Sequence, residues 1–322
     1  MVTTPSPLAA WLAGPGVVLL DGGLATSLEA RGHDLSDSLW SARLLIDAPE
    51  EIAAVHRAFL EAGADCVISA SYQATLAGLG RRGLGPGEAR ETLQRAVKLA
   101  RSARDGFAAS ALGGSRRHRP LVAASVGPWG AAQADGSEYT GAYAIDEAGL
   151  YAFHRERFAL LAEAGADLLA CETLPSRAEA RALLRLLDET PGVWAWFSFT
   201  ARDAARIADG TPLRELAREL DHERIAAIGV NCVAPARVPG LLAELRRGSS
   251  RPLVAYPNSG EGWDAAARRW VGGAAPAADS RPAAWRAAGA ALIGGCCRVG
   301  PEAIRRLRRE LLGEASRPAR SA

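Results

Sequence analysis

The sequence predicts one (β/α)8 barrel over residues 1–312, an α/β fold, on three observations. Eight short apolar runs alternate with longer helical patterns from end to end of the 322 residues. The runs are continuously apolar rather than alternating, the pattern of strands buried on both faces of a parallel sheet. Nearly every run then ends in polar or sulfur-bearing residues, and the C-terminal strand ends are where such barrels carry their sites. A doubly wound sheet is the alternative reading of the same alternation.

The runs occupy residues 17–23, 66–72, 121–127, 167–173, 193–200, 225–232, 252–258 and 292–297. The helix before the second run starts at Pro49, a favoured first-turn residue, and closes in Glu61-Ala62-Gly63. The helix before the fourth closes in Glu163-Ala164-Gly165, and further helical patterns cover residues 175–187 and 301–312. Three segments exceed plain connectors. Residues 106–120 are Gly/Ser/Arg-rich and read as a mobile surface loop; residues 129–146 read as a lid over the barrel mouth; residues 260–282 carry Trp263, Asp264 and Trp270. Residues 313–322 read as a disordered tail, and no short repeat beyond the barrel unit is expected.

An apolar content of 48% with 23% charged residues suits a chain with a large core. The net charge of +2 argues against nucleic acid or a membrane surface as partner. No leader-like start and no apolar run of spanning length are seen, so a cytoplasmic protein is expected. With no dimerisation arm after the barrel, a monomer is preferred.

The five cysteines do not follow a disulfide spacing. Cys66 and Cys171, in mid-strand, read as small buried apolar residues. Cys232, Cys296 and Cys297 end two strands, and Gly294 and Gly295 permit an unusual backbone path just before the adjacent pair. Three soft thiolates with no fourth protein ligand nearby match a catalytic Zn2+ site with one exchangeable position. A redox pair of the adjacent cysteines is disfavoured by strain and by a reducing compartment. Of the five histidines none is assigned to the metal; His56 and His154 fall in helical patterns and His118 in a basic loop. A zinc held by three thiolates is a weak activator of water but suits binding a substrate thiol as thiolate.

The residues that carry a resemblance are Asp21-Gly22-Gly23, Ser71-Tyr72-Gln73-Ala74-Thr75, Ser125-Val126-Gly127-Pro128 with Asp135-Gly136-Ser137-Glu138-Tyr139, Cys171-Glu172-Thr173, Gly229-Val230-Asn231-Cys232, the run from Tyr256 to Glu261, and Gly294-Gly295-Cys296-Cys297. Together they resemble the homocysteine S-methyltransferase family, in its zinc-dependent branch using S-methylmethionine or S-adenosylmethionine. The resemblance implies methyl transfer from a sulfonium donor to the thiol of homocysteine, giving methionine. It implies that Cys232, Cys296 and Cys297 hold Zn2+ and that Asp21 and Glu172 lie near the amino group of homocysteine. For a cationic donor, aromatic faces and carboxylates are expected, with Tyr72, Trp40, Trp129 and Glu172 as candidates. Gly22, Gly23, Gln73, Asn231 and Asn258 complete the expected substrate-binding set. Competing classes are a zinc barrel hydrolase or lyase, which normally recruits His, Asp or Glu ligands, and a metal-storage or redox-sensing protein. Selenohomocysteine or selenocysteine as acceptor stays open.

Overall fold

Why eight runs make eight strands is visible in where their side chains go. In the computed structural model, which describes residues 5–35, 39–116, 118–264, 269–273 and 281–313, alternate residues of each run serve two cores. Val18, Leu20, Ala123, Leu168, Ala170, Trp196 and Leu292 fill the interior, with Leu8 and Trp11 in the same cluster. Val17, Leu19, Val67, Val122, Leu169, Phe197 and Ile228 belong to the larger cluster shared with the helices, such as Phe59, Phe107 and Leu241. With apolar partners on both sides, a strand has no polar face to display.

The strands are β1 (Val18–Leu19), β2 (Cys66–Ile68), β3 (Leu121–Val126), β4 (Leu168–Leu174), β5 (Ala195–Phe199), β6 (Ile225–Asn231) and β7 (Leu253–Tyr256). A two-stranded antiparallel hairpin, β8 (Gly262–Asp264) and β9 (Arg269–Val271), precedes the last barrel strand, β10 (Ala290–Ile293). Hydrogen bonding runs β1-β10-β7-β6-β5-β4-β3-β2, every ladder parallel. A parallel bridge between Leu20 and Cys66 brings β1 beside β2 and closes the ring. The chain is a (β/α)8 barrel.

The loop expected over residues 106–120 is corrected. Residues 106–108 complete the helix Pro86–Ala108, and Ala111–Gly114 is a short helix capped by Ser110, so the segment is not a plain loop. Within the barrel unit itself, Glu-Ala-Gly-Ala-Asp recurs at residues 61–65 and 163–167, at the junction of helix and strand. In each copy the glycine has positive φ at a helix end and the aspartate precedes a strand. Asp65 accepts the Leu19 N–H at 3.0 Å and Asp167 the Val122 N–H at 2.7 Å, so each ties its strand to the preceding one. The helix after β4 is Arg177–Glu189, starting two residues later than expected because Ser176 caps it by accepting the Glu179 N–H. No helix of the described residues is long and apolar enough to cross a membrane. The expected tail lies outside the described residues apart from Gly313, as do residues 265–268 and 274–280 of the 260–282 segment.

Candidate active site

The strand ends open into a cavity of about 430 Å3 at the C-terminal mouth of the barrel. Gly22, Gly23, Trp40, Tyr72, Gln73, Glu172, Cys232, Cys296 and Cys297, all expected from sequence, line it. Asp21, Asn231, Asn258 and Trp129, also expected, do not. Asp21 lies beneath, 1% exposed, accepting the Ile68 N–H at 2.9 Å through Oδ2 while Oδ1 has no partner. Asn231 is fully buried, and its amide grips Thr173 by accepting the backbone N–H at 2.8 Å and donating to the hydroxyl at 2.7 Å. Asn258 closes a local turn, accepting the Gly260 N–H at 2.9 Å.

Backbone strain gathers around this mouth. Trp40, Ala134, Thr173 and Cys232 have positive φ and all line the cavity, and a fifth such residue, Arg298, follows Cys297. Non-glycine residues accept that conformation only where surroundings impose it, and such outliers concentrate at functional sites. For Thr173 the grip of Asn231 is that constraint. For the Cys296-Cys297 turn it is the Arg298 guanidinium, bound to both carboxylate oxygens of Glu261 at 2.8 and 3.1 Å, with the Arg298 N–H donated to the Thr26 hydroxyl at 3.0 Å.

Because β10 stops at Ile293, the next residues leave the pleat, and both adjacent cysteines turn toward Cys232. A Cβ on Gly294 would come within 2.6 Å of the Leu20 side chain, so only glycine lets the end of β10 lie this close to the end of β1. The sulfurs of Cys232, Cys296 and Cys297 lie within 4.8 Å of one another. Cys232 and Cys296 are joined as a disulfide with Cα atoms 5.7 Å apart, and Cys297 is a free, buried thiol. The joined pair is therefore not the adjacent one considered from sequence. A disulfide offers no thiolate, so a metal needs this pair reduced; three thiolates then form a donor set for a soft ion. Among the described residues no histidine joins the group. His154 Nε2 instead meets Glu179 at 2.8 Å, both fully buried, and His118 stacks on Trp11.

Electrostatics complete the picture. The described lining holds four carboxylates, Glu29, Asp34, Glu138 and Glu172, and neither lysine nor arginine. Glu172 accepts the Ser125 hydroxyl at 2.5 Å and the Tyr256 hydroxyl at 3.0 Å, yet burial pushes it up to about 7. Asp21 is held well above the carboxylate range, by burial first and by the nearby Glu172 charge as well. Burial, with the charges of Glu29, Glu172 and Glu138, pushes the Cys297 thiol up to about 12. Among the described residues, then, acidic side chains line this cavity without a lysine or arginine facing them.

Residues 18–311 match the family model for homocysteine S-methyltransferase. The chain belongs to the homocysteine S-methyltransferase family. It is 48% identical to homocysteine S-methyltransferase YbgG of Bacillus subtilis, over 90% of this chain and 93% of that one. It is 47% identical to homocysteine S-methyltransferase of Escherichia coli, over 94% of this chain and 98% of that one. A solved metallated form of the homocysteine methyltransferase MmuM from Escherichia coli superposes with a TM-score of 0.85, at 44% identity, covering 94% of this chain and 99% of that one. Against this family background, the residues not foreseen as site members are Glu138, Tyr139, Thr173, Tyr256 and the collar from Thr26 to Leu35. Glu138 and Tyr139 follow an Asp135-Gly136 turn signal, which marks the backbone but not what faces inward. Trp129, expected to line the donor pocket, packs against Tyr143 at 4.9 Å between centroids and gives its backbone N–H to Glu179, anchoring the loop after β3.

Proposed function

We propose that this chain transfers a methyl group from a sulfonium donor, S-methylmethionine or S-adenosylmethionine, to the thiol of homocysteine, forming methionine. The observation that carries the reading is the convergence of three thiols on the mouth of a cavity whose described lining has carboxylates and aromatic rings and no lysine or arginine. Cys232, Cys296 and Cys297, once reduced, would hold Zn2+, which keeps an acceptor thiol deprotonated at neutral pH. The need for three reduced thiols fits a reducing compartment such as the cytoplasm.

The chain's own groups do the rest. Asp21 and Glu172 are two buried acids that raise each other's cost of ionising, and Asp21 Oδ1 has no partner. One substrate ammonium near both resolves that repulsion, which supports an amino-acid substrate anchored at the barrel floor. Ser125 and Tyr256 orient the Glu172 carboxylate for it. The acceptor sulfur attacks the methyl carbon; a new S–C bond forms as the donor's S–C bond breaks, and the electron pair stays on the donor sulfur. That sulfur departs as a neutral thioether. Thiolate and sulfonium cancel their charges as transfer proceeds, so the work of the site is mainly positioning.

The test is to incubate reduced, zinc-loaded protein with homocysteine and each sulfonium donor and to assay methionine. Turnover is expected with one of them, and Cys297→Ala is expected to lose both zinc and turnover. Stoichiometric zinc with no methionine from either donor would overturn the reading.

A further inference from the structure

One buried carboxylate on the cavity wall has backbone N–H groups of its own turn beside it but no lysine or arginine among the described lining residues. Glu138 sits in the second of two 3-10 turns in the loop after β3, Ser137–Tyr139, is 9% exposed, and its Oε2 makes no hydrogen bond. The turn is rigidly built. Asp135 accepts the Ser137 N–H at 2.9 Å, the Tyr139 N–H donates to the Gly136 carbonyl at 3.0 Å, and the turn rests on Gly130, where a Cβ would come within 2.5 Å of the Glu138 nitrogen. The carboxylate therefore stays where the loop puts it, and the described lining offers it no lysine or arginine. Burial pushes it up to about 7, with Asp135 adding to the rise. A buried carboxylate left unpaired is costly, and a fold keeps one where something else supplies the counter-charge.

The surroundings indicate what that something is. Tyr72 and Tyr139 both lie close enough to feel the Glu138 charge, and with Trp40 they give the cavity its aromatic walls. Glu138 and the three cysteines line one cavity, so Glu138 faces the space in which the acceptor sulfur would react. Aromatic faces beside a carboxylate form a receptor for a soft, poorly hydrated cation. We propose that Glu138 is the counter-ion of the donor's sulfonium and makes the site select a positively charged methyl donor over an uncharged one of the same shape. This rests on the methyl-transfer reading and deepens it.

The charge arithmetic gives the contact a defined kinetic role. The sulfonium charge is full in the bound donor and vanishes as the methyl leaves. Glu138 thus holds the ground state more strongly than the transition state, which lowers the donor's KM and lowers kcat with it. After transfer the thioether has no charge to offer Glu138, so this contact is lost and product leaves more readily than donor.

The experiment measures, by calorimetry on zinc-loaded protein, the Kd of S-methylmethionine and of its carbon isostere, in which CH replaces the sulfonium sulfur. The wild type is expected to prefer the sulfonium by about tenfold or more, the scale of a desolvated cation contact. Glu138→Gln is expected to erase that preference while the Kd of the isostere stays within about twofold, and kcat at saturating donor is expected to rise rather than fall. Glu138→Asp, which keeps the charge on a shorter arm, should fall between. A Glu138→Gln protein that binds the isostere normally and still prefers the sulfonium by the wild-type factor overturns the proposal while leaving methyl transfer intact. A wild type that binds neither ligand overturns both.

Discussion

At Glu138 the protein carries a charge that costs it stability, and the cost has a readable pH dependence. The carboxyl holds its proton to about 7 in the folded chain, against its ordinary 4.5. Between those values the native state binds more protons than the unfolded state, so stability falls as pH rises from about 4.5 to about 7 and stays lowered above that. Removing the ionisable group removes the loss. Glu138→Gln should therefore gain on wild type between pH 5 and pH 8 by on the order of 1–3 kcal/mol in substrate-free protein, read from urea melts. An equal stability difference at both pH values would show that Glu138 is not a strained charge. Glu172 rises to a similar value, but the Ser125 and Tyr256 hydroxyls bind it, so its replacement also breaks hydrogen bonds and should not stabilise cleanly. Cys232, Cys296 and Cys297 were legible as a cluster because thiols at strand ends are unusual. Glu138 was not, because nothing in a loop sequence tells which acid faces inward.

Among elements, the helix Glu147–Glu163 does what its sequence hides. It sends Arg157, 2% exposed, across the top of the barrel. There one guanidinium nitrogen donates to the Gly127 carbonyl at 2.8 Å and another to those of Ser71 and Tyr72 at 2.6 and 2.7 Å. The ends of β2 and β3, and with them Tyr72, are thus set by a side chain from a third element. Arg157→Met should leave three carbonyls without this donor and cost on the order of 3–5 kcal/mol, with Arg157→Lys recovering part of it. Urea melts of the two variants check this, and equal stability of wild type and Arg157→Met would refute it. The strands were readable because a run apolar on both faces has one structural solution. This helix was not, because its buried His154 and Arg157 look in sequence like residues of a solvent face. The second strand likewise reads to Tyr72 but stops at Ile68, since the Ala74 N–H turns back to the Ser71 carbonyl and curls the chain into the cavity wall.

Over the whole molecule, the question is what closes a barrel whose first strand is two residues long. β1 has a ladder with β10 but only a bridge to β2, so side chains make up the seam. At the cavity end Asp21 accepts the Ile68 N–H, and at the opposite end Asp65 accepts the Leu19 N–H. Asp65 also receives Arg116 at 3.1 Å and Arg308 at 3.0 Å, itself 1% exposed. One carboxylate thereby joins the first strand, the segment before β3 and the C-terminal helix Pro301–Leu312. Removing it takes the carboxylate from two largely buried guanidiniums, which keep carbonyl partners such as Gly63, and opens the seam, so Asp65→Ala should cost on the order of 3–5 kcal/mol. Asp65→Asn keeps an acceptor for the Leu19 N–H and should cost less. Because this end of the barrel lies away from the strand ends that bear the site, folded Asp65→Asn should bind S-methylmethionine within about twofold of wild type. A large loss of binding with stability unchanged would mean the two ends of the barrel are coupled, and that the division between a closing face and a reacting face is wrong.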